Sequence, residues 1–122
     1  MPPAEHPAFF ASSRLTLNIT RRAMAAMGWC PSGRLFEAAA CGAPVLTDSW
    51  DGLAEFYTPG SELLVAGSTE EAMAAIGLGD AELRRIAQAA RDRTLSEHTA
   101  DHRVRALEEA VQAAMHPATI GD

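Results

Sequence analysis

The chain has 122 residues, which is the size of one domain. Sixteen acidic residues against ten basic ones give a net charge of −6, which argues against a protein that binds nucleic acid through its phosphate backbone. All ten basic residues are arginine, so the sequence excludes any site chemistry that needs a lysine. Hydrophobic residues make up 48% of the chain, a proportion typical of a folded globular domain.

The cysteines and the uncharged stretches exclude further classes of protein. Cys30 and Cys41 do not have the spacing of a zinc site, and no metal site is predicted. The longest stretch without Asp, Glu, Arg or His, residues 23–33, is far shorter than the roughly 18 apolar residues that a transmembrane helix needs. The N-terminal sequence shows no export signal, so we expect the protein in the cytoplasm.

The first half of the chain predicts a βαβ unit. Three prolines within residues 1–7 predict an extended leader, and alternation of apolar and polar residues over 15–20 predicts the first strand. A helix is predicted over 32–41, with Pro31-Ser32 as its start signal and Gly42 as its stop signal. A second strand is predicted over 44–48. Because the connections are short, the two strands should be parallel neighbours.

The next elements have their own local signals. A short helix is predicted over 52–57, and residues 63–66 read as a third small strand. Ser68 and Glu71 have the spacing of a capping box, which predicts a helix over 69–76. The predicted fold class is therefore α/β. We expect a Rossmann-like arrangement of three layers, α/β/α, in which a small parallel sheet is the middle layer.

Two helices and a tail complete the predicted chain. Asp80 is expected to cap the first of these helices, and the second is predicted over 100–115. The second helix carries an apolar stripe formed by Val104, Leu107, Val111 and Met115. Residues 117–122 are expected to form a flexible tail.

The informative stretch lies where a glycine-bearing loop leads into the helix over 32–41. The first turn presents the backbone amides of Ser32, Gly33 and Arg34, and such a helix start attracts phosphate. Arg34 and Glu37 are three positions apart and share one face of the helix. A guanidinium for a diphosphate and a carboxylate for two vicinal hydroxyls would bind the phosphates and ribose of a nucleotide. An ordinary exposed ion pair between the two side chains is the alternative.

Other polar residues have a functional and a structural interpretation. Asp51 follows the second strand at the end where α/β proteins bind ligands, although a turn or capping role is the alternative. Asn18, near the end of the first strand, either faces the same ligand-binding end of the sheet or is a buried strand residue whose side chain has all its hydrogen bonds within the protein. Arg21 belongs to a basic pair that suits an anion site. His98 and His102 have the spacing of two metal ligands, but no third ligand is near and a solvated pair is favoured.

The segment RLFEAAACGAPV over residues 34–45 resembles the donor-site helix and following strand of glycosyltransferases with the GT-B fold. LNITR over 17–21 and WDGL over 50–53 resemble the branch that includes the CgeB-like spore maturation proteins. The resemblance covers residues 6–107 and implies the C-terminal, donor-binding part of such an enzyme. It implies a nucleotide-diphosphate sugar as donor and neither a metal nor another cofactor.

The resemblance also implies roles for particular residues. It places the family's ribose-binding glutamate at Glu37, whereas an earlier glutamate of many relatives is replaced here by Trp29. Arg34 and Arg21 are the implied catalytic residues, since a cation beside the leaving diphosphate stabilises its developing charge. The expected donor-binding residues are Ser32, Gly33, Arg34, Glu37, Asn18 and Asp51.

The size of the chain limits what the resemblance can imply. A GT-B enzyme has two domains, so residues 1–122 would form a single, incomplete nucleotide-sugar-binding domain. We expect it to pair with a missing N-terminal acceptor domain or to self-associate through its open sheet edge. The alternative is a noncatalytic nucleotide-binding or protein-interaction α/β module. A receiver-like module is disfavoured by Thr20-Arg21 after the first strand and by the absence of lysine.

Overall fold

A computed structural model of the protein describes residues 2–19, 28 and 31–115. The strands in these ranges are β1 (Thr16–Asn18), β2 (Val45–Thr47) and β3 (Leu64–Val65). The α-helices are α1 (His6–Ala11), α2 (Gly33–Ala40), α3 (Leu53–Phe56), α4 (Thr69–Ile76), α5 (Asp80–Glu97) and α6 (Ala100–Met115). The predicted α/β class is confirmed. Residues 117–122, for which a flexible tail is predicted, lie outside the described residues.

The start of the chain is not the extended leader that the sequence predicts for residues 1–7. Pro3–Glu5 form a 3-10 helix, and α1 follows directly with Pro7 in its first turn. Proline is favoured in the first turn of a helix because its missing amide hydrogen would have no partner there. The prediction of an extended leader is therefore wrong, and these prolines lie at the starts of helices. Phe10 anchors α1 in the hydrophobic core.

The three strands form one parallel sheet in the order β1-β2-β3. Leu17 lies opposite Leu46, and Leu46 lies opposite Leu64. The same register brings Asn18 beside Thr47 at the carboxyl end of the sheet. The parallel βαβ unit predicted from the sequence is confirmed, and the carboxyl ends of β1 and β2 meet at one edge.

Helix α2 packs on one face of this sheet through buried Leu35, Ala38 and Ala39. Val45 of β2 and Ala90 of α5 belong to the same core cluster. Because alanine side chains are small, α2 lies close to both the sheet and α5. The helix ends before Gly42, whose φ of 76° is the left-handed conformation that glycine adopts at low cost.

The opposite face of the sheet is only partly covered in the described part of the chain. Side chains alternate between the faces of a strand, so Leu17 and Leu46 share this face. A cavity of about 400 Å³ lies between these residues and Ala72 of α4. Leu17 is 53% exposed and Ile19 is 67% exposed. The α4 layer therefore leaves apolar surface of β1 open.

The start of α5 differs from the prediction that Asp80 caps it. Gly79 is the N-cap, and Asp80 is the first residue of the helix. The Asp80 carboxylate instead accepts a hydrogen bond from Nε of Arg14 at 3.0 Å. Arg14 also donates to the carbonyls of Ile76 and Leu78, which lie at and after the end of α4. Asp80 thus helps to hold the segment before β1 against the turn between α4 and α5.

Helix α6 has the predicted bounds but contributes no residue to the core. Its apolar stripe is solvent-exposed, with exposed fractions from 47% at Val111 to 71% at Met115. In the described structure, the hydrogen bonds that attach α6 to the rest of the protein come from its first turn and reach residues 97 and 98 at the end of α5.

A buried pair of hydroxyl groups joins the residue after α3 to α5. The Tyr57 hydroxyl lies 2.7 Å from Oγ1 of Thr94, which donates to the carbonyl of Ala90 at 2.8 Å. Because Thr94 has only one hydroxyl proton, Tyr57 is the donor in this pair. Burial raises the pKa of the Tyr57 phenol, which keeps this donor protonated.

We predict that Thr94→Val destabilises the protein more than Tyr57→Phe. The threonine substitution leaves a buried phenol donor without an acceptor, at about 1–3 kcal/mol, whereas the tyrosine substitution removes one hydrogen bond worth about 1 kcal/mol. Urea unfolding of both variants measures the two changes in the free energy of unfolding. Equal changes, or no change for Thr94→Val, would contradict the assigned donor.

Candidate functional site

The N-terminus of α2 lies at the carboxyl end of the sheet, and Ser32 shapes it. Oγ of Ser32 accepts the backbone amide of Arg34 at 3.2 Å, which makes Ser32 the N-cap. Of the three amides that the sequence predicts to be available, that of Arg34 is therefore used within the helix. The amides of Ser32 and Gly33 have no partner among the described residues. A side chain at Gly33 would meet no atom within 4 Å, so the space beside this turn is open.

Arg34 connects the start of α2 to β1. Its Nη1 donates to the carbonyl of Leu17 at 3.3 Å, one residue before the strand ends. The side chain is exposed, and in the described structure this carbonyl is the partner of its guanidinium. The hydrogen bond holds a positive charge over the carboxyl end of β1 and leaves further N–H groups for an anion.

Glu37 lies one turn further along α2 and does not pair with Arg34 in the described structure. Its Oε2 lies 3.4 Å from Nδ1 of His6 in α1, and 53% of its side-chain surface is exposed. An exposed contact of this kind contributes little to stability. The structure therefore does not support the alternative of a simple ion pair between Arg34 and Glu37.

Asn18 is buried at the end of β1 with half of its amide group unpaired. Its Nδ2 donates to Oγ1 of Thr47 at 3.3 Å, but its Oδ1 has no hydrogen-bond partner among residues 2–19, 28 and 31–115. Oγ1 of Thr47 in turn lies within 3.3 Å of both the backbone carbonyl and Oδ1 of Asp48. A buried acceptor without a donor is energetically costly. Asn18 is therefore not the fully satisfied sheet residue that the sequence leaves open as an alternative.

Asp51 lies close to the backbone of Gly28, which precedes α2 in the sequence. A side chain at Gly28 would come within 2.8 Å of the Cβ of Asp51, and Gly28 has a φ of 69°. Both the close approach and the left-handed backbone require glycine at this position. The structure thus places Asp51 against the backbone of Gly28. Arg21, the second predicted catalytic residue, and Trp29 lie outside the described residues.

Two residues of this region are not predicted by the sequence analysis. His6 is assigned to an extended leader, and only the helical start of the chain brings it to Glu37. Thr47 is treated as an ordinary strand residue, although its place as the last residue of β2, before Asp48, is a signal that could have identified it.

Two negative findings apply to residues 2–19, 28 and 31–115. No three side chains of histidine, cysteine, aspartate or glutamate there come together as a metal site. His98 and His102 have separate partners, since His98 contacts Arg103 and His102 contacts Thr99. No helix in this part of the chain combines the length and apolar character needed to cross a membrane.

Comparison with known proteins identifies the family. No curated protein matches this chain. The family described as glycosyl transferase-like matches residues 1–109 and so covers every residue of the candidate site. This finding confirms the resemblance to GT-B glycosyltransferases, while the CgeB-like branch stays a prediction. The chain therefore belongs to the glycosyl transferase-like family, as part of a GT-B-type C-terminal domain.

Proposed function

We propose that the start of α2 binds the nucleotide diphosphate of a sugar donor and that the protein is the donor-binding part of a glycosyltransferase. The hydrogen bond between Arg34 and the Leu17 carbonyl carries this proposal, because it fixes a cation at the helix start that also presents the amides of Ser32 and Gly33, which have no partner among the described residues. These groups lie at the carboxyl end of parallel strands, where open α/β folds bind ligands.

The charges at this helix start suit the chemistry of glycosyl transfer. When the bond between the anomeric carbon and the diphosphate oxygen breaks, negative charge grows on the leaving group. A guanidinium, two backbone amides and the positive end of α2 stabilise that charge without a metal ion. Arg34 is the first proposed catalytic residue, and Arg21 is proposed as the second cation.

Glu37 and Asn18 are proposed to contact the rest of the donor. The exposed carboxylate of Glu37 can accept hydrogen bonds from two vicinal ribose hydroxyls. The unpaired Oδ1 of Asn18 is an acceptor at the same edge of the sheet. Asp51, through its contact with Gly28, is proposed to fix the position of this glycine ahead of α2.

The acceptor substrate and its proton-transfer groups are proposed to be bound by another domain or another copy of the chain. β1 is the end strand of the described sheet, and its Leu17 and Ile19 are exposed. Open strand edges of this kind favour pairing. The free thiol of Cys41 fits a reducing compartment, and we propose the cytoplasm as the location.

We predict that a nucleoside diphosphate shifts the amide resonances of residues 32–37 in an NMR titration with UDP, GDP and TDP. The base that binds at the lowest concentration identifies the donor. Glu37→Gln should weaken binding roughly 10- to 100-fold, since a hydrogen bond to a charged group contributes about 1.5–3 kcal/mol. Glu70→Gln, in the first turn of α4, is the matched control and should leave affinity unchanged. Equal affinity for both variants would refute the role of Glu37.

We also predict that Gly33→Ala weakens nucleotide binding without unfolding the protein. The added methyl group meets no atom of the described residues within 4 Å, so it extends into the space proposed for the phosphates. Gly79→Ala at the start of α5 is the matched control, because that glycine also has nothing within 4 Å. Thermal unfolding and the NMR titration compare the two variants. A phosphate site elsewhere would leave the affinity of Gly33→Ala at that of the control.

A noncatalytic nucleotide-binding module is the second candidate function. Trp29 stands where many relatives have the glutamate that contacts the sugar, and this replacement favours binding without transfer. Release of nucleoside diphosphate from a nucleotide sugar distinguishes the two functions. Saturable binding with no release, in the presence of the acceptor-binding domain, would favour the noncatalytic module.

A further inference from the structure

The link between α5 and α6 contains a histidine whose partners define its protonation state. His98 is the C-cap of α5, and Thr99 is the next residue before α6. Nε2 of His98 lies 2.7 Å from the carbonyl of Phe56, and Nδ1 lies 2.8 Å from Nη2 of Arg103. A carbonyl only accepts and a guanidinium only donates. The ring is therefore neutral, with its proton on Nε2 and a lone pair on Nδ1.

Arg103 is the side chain through which α6 is attached to the body. It donates to the carbonyl of Glu97 at 3.2 Å as well as to His98. Its guanidinium carbon lies 5.5 Å from the ring centroid of Phe36 in α2 and 6.0 Å from that of Phe56 in α3. No residue of α6 is buried, so the rest of the helix has no comparable attachment in the described structure.

We propose that the contact between His98 and Arg103, here named the clasp, is a pH-dependent attachment of α6. When Nδ1 takes a proton from solvent, Arg103 loses its acceptor on the imidazole and faces a positively charged ring at 2.8 Å, and this repulsion moves the guanidinium away from the ring and from the nearby carbonyl of Glu97. The attachment is then lost, and α6 moves about the link at residues 98–99. Because α6 carries the exposed apolar stripe, the clasp controls the direction in which that surface points.

The charges around the ring fix the sign of this response. Burial, together with Arg103 of α6 and Arg93 of α5, lowers the pKa of His98 from its ordinary 6.5, against the opposing effects of the Phe56 carbonyl and Glu97. The phenol of Tyr57, 5.2 Å away between ring centroids, is the other titratable group that faces the imidazole. The unfolded chain takes up this proton at higher pH than the folded one. The contribution of neutral His98 to the free energy of unfolding is thus complete above the ordinary pKa of histidine. It is lost as the pH falls through the pKa that His98 has in the folded protein.

We predict that the protonation of His98 and the loosening of α6 share one midpoint. NMR titration of the imidazole resonances measures the first, and ¹⁵N relaxation of residues 104–115 measures the second. At neutral pH, order parameters of about 0.85 are expected, and after protonation they should fall below about 0.6. Two outcomes would overturn the proposal: order parameters that stay constant while His98 is protonated, or a His98 that does not titrate before the protein unfolds.

Three variants separate the clasp from other causes. His98→Gln keeps a neutral donor and acceptor, so α6 should stay ordered across the same pH range. Arg103→Gln should loosen α6 already at neutral pH. His102→Gln removes a neighbouring histidine whose partner is Thr99, and it should leave the response intact. A pH response that disappears in His102→Gln, or persists in His98→Gln, would assign the effect to another group. None of these measurements depends on nucleotide binding at α2.

Discussion

The close packing of α2 between the sheet and α5 is the constraint on which the candidate site depends. Ala38 and Ala39 are at most 1% exposed and form the contact surface together with Leu35. Larger side chains at these two positions would move the helix away from the sheet. Arg34 would then no longer reach the carbonyl of Leu17, and the backbone amides of Ser32 and Gly33 would move away from the carboxyl end of the sheet. The apolar face of α2 thus positions the polar groups at its N-terminus.

Elements with strong local signals could be predicted from the sequence. The capping pair in α4 acts over three residues, and the predicted helix over 69–76 agrees with the structure. Asp80 shows where local reasoning fails, because its partner Arg14 is 66 positions away and no local pattern reveals it. The prediction of an extended leader from the prolines at the start of the chain is wrong for another reason. Proline suits both an extended segment and the first turn of a helix, and the packing of Phe10 decides between them.

In the candidate site, too, residues with local sequence signals could be predicted and their distant partners could not. Ser32, Arg34 and Glu37 could be identified because they belong to one helix start and to the segment that resembles GT-B enzymes. Their partners could not, since His6 and the Leu17 carbonyl come from elements whose positions depend on the tertiary fold. The family match confirms the resemblance to GT-B glycosyltransferases, and the geometry adds the contacts of individual side chains.

Long-range contacts in this protein repeatedly join an arginine side chain to a main-chain carbonyl. The arginines that do so are Arg14, Arg34, Arg91 and Arg93. A carbonyl is present whatever the side chain at its position, so one half of each contact is independent of the amino acid encoded there. Tolerance to mutation is therefore unequal. Positions such as 17 and 55 can vary without loss of the hydrogen bond, whereas each arginine is needed to retain it.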